Sequence, residues 1–135
     1  DVCSSDLNDD LVVQGDFDEQ SGYDCAMKLL ENTERPTGIF ALNDAMAIGV
    51  YRAAEELGLA IPNDLSVIGF DDIPEASYIR PKLTTVRQPQ REIGRTATRL
   101  LVELIEDTKR ELETITLETE LILRDSTAAA ESLSL

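Results

Sequence analysis

Leu65-Ser66-Val67-Ile68-Gly69-Phe70-Asp71-Asp72 is an apolar run, interrupted only by Ser66 and Gly69, that ends in two adjacent carboxylates. A strand that is apolar nearly throughout, rather than at every second residue, fits a parallel sheet covered by helices. Toward the N-terminus lie two similar runs, Gly38-Ile39-Phe40-Ala41-Leu42 before Asn43-Asp44, and Leu11-Val12-Val13 before Gly15. The three expected strand ends fall near positions 14, 42 and 70, a period of about 28 residues that suits repeated βαβ units. Helical spacing fills the intervals. Tyr23, Ala26, Met27 and Leu30 share one face, and Ala47, Val50, Tyr51, Ala54 and Leu57 share another on a helix stopped by Gly58 and Pro62.

Toward the C-terminus, Pro74 and Pro81 bracket a loop, and Leu83-Thr84-Thr85-Val86 reads as a short extended crossover. A long helix follows, with Pro89 near its start, an apolar stripe of Ile93, Ala97, Leu100, Leu101, Leu104 and Ile105, and Lys109 and Arg110 just beyond its end. Ile115, Leu117, Leu121 and Leu123 keep a period of two and predict a final strand. Residues after Asp125 read as a frayed tail, and residues 1–7 carry neither helix nor strand period. The first seven residues also match one reading frame of a common sequencing adaptor. The chain therefore divides into a non-native leader at 1–10, a partial domain at 11–125 and a tail at 126–135.

Charge narrows the function. The chain holds 27 acidic and 12 basic residues, a formal net charge of −15, so it does not neutralise a phosphate backbone by itself. The chain lacks histidine, which excludes a histidine-dependent triad, acid–base pair or zinc site. Cys3 and Cys25 have no metal-ligand spacing and form no disulfide framework, which fits a reducing compartment, with Cys25 a small core residue. No stretch approaches the roughly 20 apolar residues that span a bilayer.

In an open parallel sheet, ligands bind beyond the carboxyl ends of the strands. Three loops converge there: Gly15-Asp16-Phe17-Asp18, Asn43-Asp44 and Asp71-Asp72. Carboxylates and amides pair with vicinal hydroxyls, and an aromatic ring covers the apolar face of a sugar or nucleobase. Each loop also has a plainer reading: Phe17 as a core residue, Asn43 and Asp44 as helix caps, and Asp71-Asp72 as an acidic turn before Pro74. An enzymatic reading makes Asp71 and Asp72 ligands of a divalent metal, but neither a phosphate-binding glycine loop with lysine nor a serine nucleophile elbow accompanies them.

Several words occur in one order between Gly15 and Thr127: Gly15-Asp16-Phe17, Ser21-Gly22-Tyr23, Arg35-Pro36-Thr37, Phe40-Ala41-Leu42-Asn43-Asp44 with Met46-Ala47-Ile48-Gly49, Gly58-Leu59 with Ile61-Pro62, the block from Leu65 to Pro74, and Leu83-Thr84-Thr85-Val86-Arg87-Gln88-Pro89. Together they resemble the effector-binding domain of the LacI/GalR transcription regulators. The resemblance implies a periplasmic-binding-protein-like α/β fold, mainly its C-terminal subdomain, with a crossover helix that belongs to the N-terminal subdomain. It implies a cytoplasmic, non-catalytic regulator without a cofactor, which senses a small sugar-like or nucleobase-like metabolite and reaches operator DNA through a headpiece upstream of residue 1.

Carried over position by position, the resemblance makes Phe17 a stacking residue, Asn43 and Asp71 hydrogen-bonding residues, and Gln88 a direct or water-mediated contact to the ligand. It places Ile48, Arg52 and Ile79 near a two-fold homodimer interface, although Ile48 also suits an ordinary core position. It leaves the stripe through Ile93, Leu100 and Leu104 without the subdomain that covers it, so the isolated chain is expected to be poorly soluble or to self-associate. A periplasmic sugar-binding protein of a transport system, with the same fold and no DNA contact, is the alternative.

Overall fold

A computed structural model describes residues 9–33, 35–107 and 114–129. A single 3₁₀ turn at Asp9–Leu11 leads into α1 (Glu19–Leu30), β1 (Gly38–Phe40), α2 (Asp44–Glu56), β2 (Ser66–Asp71), a 3₁₀ turn at Pro74–Ser77, β3 (Thr84–Arg87), α3 (Gln90–Glu106) and β4 (Glu120–Ile122). One four-stranded sheet runs in the order β1-β2-β3-β4. The first three strands are parallel, and β4 runs antiparallel to β3, with Val86 opposite Leu121.

Leu65, Val67 and Leu83 are fully buried, against Ala47, Val50, Ala53 and Ala54 of α2. Small residues on this helix let it lie close to the sheet, and its end is closed by a backbone cap: Gly58 at φ +68° donates to Glu55 O, and Leu59 N donates to Ala54 O. This is the Schellman arrangement, which asks for a left-handed residue after the helix. On its other side α2 meets α1 at two glycines. A Cβ on Gly22 would stand 2.2 Å from Met46 O, and one on Gly49 would stand 2.1 Å from Glu19 O. This close crossing carries the loop before α1 to the N-terminus of α2.

Four expectations change. Leu11-Val12-Val13 is not a strand: Asp9–Leu11 turns, and residues 12–16 are irregular. A three-residue strand on a three-residue edge gains few ladder bonds against the entropy of ordering it. The segment is tied to α1 instead, through Cys25 Sγ to Gln14 O at 3.4 Å and Asp16 N to Ser21 Oγ at 2.9 Å. As a result β1 is an edge strand, and Phe40 and Leu42, expected to be buried, are 57% and 59% exposed. Third, the segment read as an extended crossover supplies the third parallel strand, β3.

The fourth change concerns the tail, which begins later than expected. Ser126 is fully buried: its hydroxyl donates to Val67 O at 2.6 Å and accepts from Thr84 N at 2.8 Å, and its carbonyl accepts from Val67 N. β3 begins opposite Ile68, so Val67 has no strand partner on that side, and Ser126 takes that place. Among the described residues the leader is represented by Asp9 and Asp10 alone. The expected helix-end cations Lys109 and Arg110 lie outside the described residues.

α3 has no buried residue. Its stripe divides: Leu100 and Leu104 are half-buried, and Ile93, Ala97 and Leu100 line a shallow hollow shared with Ile115 and Leu117. Leu101, Val102 and Ile105 stay bare.

Candidate ligand site

The four residues assigned to the ligand fall into two hydrogen-bonded pairs at the carboxyl edge of the parallel strands. Asn43 is the N-cap of α2; its Oδ1 accepts from Met46 N and its Nδ2 donates to Phe17 O, both at 2.8 Å. The amide thus caps the helix and holds the Phe17 loop. Asp71 ends β2, and its Oδ1 accepts from Gln88 Nε2, just beyond β3, at 2.6 Å. Phe17 is 64% exposed, which sets aside the core alternative for its ring.

Backbone geometry marks the same places. Phe17, Asp71 and Asp72 have φ of +64°, +114° and +60°, the positive-φ non-glycine residues of the described chain. Such conformations cost about 1–3 kcal/mol each and persist where surrounding structure imposes them, often at binding sites.

Asp44 braces the loop that follows Asp71 and Asp72. The residue is fully buried at the first turn of α2. Its Oδ1 accepts the Thr85 hydroxyl at 2.6 Å, and its Oδ2 accepts Ile73 N at 2.9 Å. It lies over Gly69, where a Cβ would stand 2.2 Å from Oδ1. One carboxylate therefore joins the start of α2, β2, β3 and the loop after Asp72. Burial pushes its pKa up, against the hydrogen bonds from Thr85 and Ile73, which favour the charged form. Of the Asn43-Asp44 pair, Asn43 caps the helix and Asp44 organises the floor beneath the loops.

Asp71 and Asp72 face different partners. Asp72 is bound by Arg87 Nε at 2.7 Å and Arg124 Nη2 at 2.5 Å, and Arg124 Nη1 also reaches Leu83 O at 2.7 Å. Burial raises the Asp72 carboxyl, but the Arg124 and Arg87 hydrogen bonds outweigh it and hold the group below the ordinary carboxylate range. Neither Asp44 nor Arg124 was read from the sequence as an organiser of the site. The signal for Arg124 was its place directly after the alternating run that ends at Leu123.

A hollow of about 650 Å³ lies to one side, between residues 11–17 and the open edge of β1. Val12, Phe40, Leu42 and Met46 are among its mainly apolar walls, and of the four assigned residues it is lined only by Phe17. It lacks the convergent polar groups that orient a hydroxylated ligand.

Arg52 sits on the outer face of α1 and α2, 4.3 Å over the Tyr23 ring, paired with Glu19 at 3.1 Å and bonded to Gln20. Ile48 is half-buried on α2, and Ile79 packs partly against the core.

Residues 6–127 match the periplasmic binding protein-like domain family. This chain belongs to that family. Its relatives are LacI-type regulators, as the sequence resemblance implied. It is 43% identical over 122 residues to the HTH-type transcriptional repressor PurR of Erwinia tasmaniensis, covering 90% of this chain and 36% of the repressor. The chain thus spans about a third of that relative's length. A LacI family transcriptional regulator from Enterococcus faecium, solved with bound ribose, is 43% identical with a TM-score of 0.77, covering 87% of this chain and 43% of that one. The regulator CelR, solved in complex with cellobiose, is 34% identical with a TM-score of 0.85, covering 90% and 37%.

Proposed function

We propose that this chain is the effector-sensing part of a transcription regulator, and that Phe17, Asn43, Asp71 and Gln88 form one wall of a site for a small sugar-like metabolite. The observation that carries this reading is the pairing of Asn43 with Phe17 and of Asp71 with Gln88 over one buried carboxylate. An exposed aromatic face beside a carboxylate and two amides suits a ring with vicinal hydroxyls. The ribose and cellobiose bound by the two related regulators have that chemistry. The polar wall serves binding, and no bond is made or broken in it.

In the complete regulator, operator DNA is contacted by sequence outside this chain, in keeping with its charge of −15. Closure around the effector couples to the DNA-binding end through a two-state rearrangement. The regulator acts in the cytoplasm as a homodimer, with Ile48, Arg52 and Ile79 at the two-fold contact; among the described residues no helix is long and apolar enough to cross a membrane.

Calorimetry of the chain with ribose and cellobiose, repeated on Asp71→Asn and Gln88→Ala, tests the site. Saturable heat with one sugar, weakened about tenfold or more by either substitution, is the expected result, since removing one partner leaves the other polar group unpaired. Equal heats for the variants and the parent chain would refute the assignment.

A further inference from the structure

Asp72 stands next to a residue of the proposed ligand wall but offers little to a ligand itself. Its carboxylate is 9% exposed and both oxygens are engaged: Oδ2 accepts from Arg87 Nε at 2.7 Å and Oδ1 from Arg124 Nη2 at 2.5 Å. Arg124 is fixed in turn, with Nη1 donating to Leu83 O at 2.7 Å and its backbone N donating to Thr84 Oγ1 at 3.0 Å. Arg87 is the register partner of Asp71 on β3 and the chain neighbour of Gln88. Two rungs therefore join the end of β2 to the end of β3 side by side: Asp71 to Gln88 at 2.6 Å, and Asp72 to Arg87.

The backbone makes the second rung matter to the first. Asp71 and Asp72 are consecutive, with φ of +114° and +60°, and such conformations persist in L residues only where the surroundings impose them. On the far side Ile73 N is held by Asp44, and within the strained pair the tie is the Asp72 side chain. We propose that Asp72 is a positioning residue for the sugar site: anchored by Arg124 and Arg87, it holds this turn and so aims the Asp71 carboxylate at Gln88 and the ligand. The inference rests on the ligand wall of the proposed function. The same anchors serve a second end. Adjacent carboxylates repel each other, and the two guanidiniums neutralise Asp72, which relieves Asp71 of that repulsion. Without the anchors the turn relaxes toward ordinary backbone angles and carries the Asp71 carboxylate with it.

Three variants test this. Asp72→Asn keeps the side-chain shape and the tolerance of left-handed backbone but loses the charge. Arg87→Ala removes one anchor at a side chain that is 49% exposed, where folding is least at risk. Gly58→Ala, just beyond α2, strains the backbone without touching either rung and serves as the control. In the sugar-free chain, the Gln88 side-chain amide signal, assigned by its loss in Gln88→Ala, is expected to move in Asp72→Asn and Arg87→Ala and to stay in Gly58→Ala. Calorimetry with ribose and cellobiose is expected to show about fivefold weaker binding in the first two and parent affinity in the control. A Gln88 signal unmoved in both variants overturns the proposal, as does an equal loss of affinity in Gly58→Ala. A parent chain without saturable heat for either sugar removes the ligand wall, and this role with it. A parent chain that binds sugar no more tightly than Asp72→Asn and Arg87→Ala removes the role alone.

Discussion

Asp44 and Thr85, on different elements and 41 residues apart, share a 2.6 Å hydrogen bond in the closed interior beneath the candidate site. The same carboxylate also holds Ile73 N, so it fixes the loop that carries Asp71 and Asp72 relative to the cap at Asn43.

Replacing Asp44 by alanine strands the Thr85 hydroxyl and the Ile73 N–H without an acceptor. Each buried orphan costs about 1–3 kcal/mol, so Asp44→Ala is expected to lower stability by about 2–4 kcal/mol. Thr85→Val, which removes the donor, is expected to lose less in a urea titration than Asp44→Ala.

Asp72 makes the fold sensitive to acid. Its carboxyl lies below the unfolded value, because the Arg124 and Arg87 bonds exceed the opposing effect of burial. Its stabilisation is therefore present above the unfolded pKa, near 3.9, and disappears as pH falls through the folded one. Asp44 has the opposite sign: burial raises its folded pKa, so its linked contribution is complete below the unfolded value and fades as pH rises through the folded one. Asp72→Asn is expected to flatten the fall in urea midpoint on the acid side of pH 4. An unchanged slope would show that these ion pairs do not form.

The helix crossing makes a steric prediction. Gly22→Ala and Gly49→Ala each put a methyl into backbone at near 2 Å, so α1 and α2 must separate, at about 1–3 kcal/mol or more. Gly58→Ala has open space but keeps φ +68°, which costs about 1 kcal/mol through the backbone alone. Thermal unfolding should rank both crossing variants below Gly58→Ala.

Ser126→Ala removes a hydroxyl that donates to Val67 O and accepts from Thr84 N. Two backbone groups between β2 and β3 lose their partner, and a loss of about 1–3 kcal/mol is expected in chemical denaturation. A neutral result would mean that residues beyond Asp125 form the frayed tail their composition suggests.

The contrast between these residues shows what was legible. The strands around Ile39 and Val67 and all three helices were readable because apolar spacing reports which face a segment buries. Leu11-Val12-Val13 misled because three apolar residues have no period, and whether they pair depends on the edge they meet. Leu83-Thr84-Thr85-Val86, which follows the proline-bracketed loop, read as a crossover, although Thr84 and Thr85 are fully buried in β3 with their hydroxyls bonded to Thr127 and Asp44. Asn43 and Asp71 were visible as polar residues ending apolar runs. Asp44 was visible in the same way, but its organising role and that of Arg124 were not, since their partners lie far away in sequence and only the folded sheet brings them together.

On the proposed reading a hydroxylated ligand meets this chain at the strand-end cluster and not in the apolar hollow beside it. Amide chemical-shift mapping of the chain during titration with ribose tests it most directly. Saturating shifts are expected at Phe17, Asn43, Asp71 and Gln88, spreading to Ile73 and Thr85 through Asp44. Shifts confined to Val12, Phe40 and Leu42, or none at saturating sugar, would contradict it.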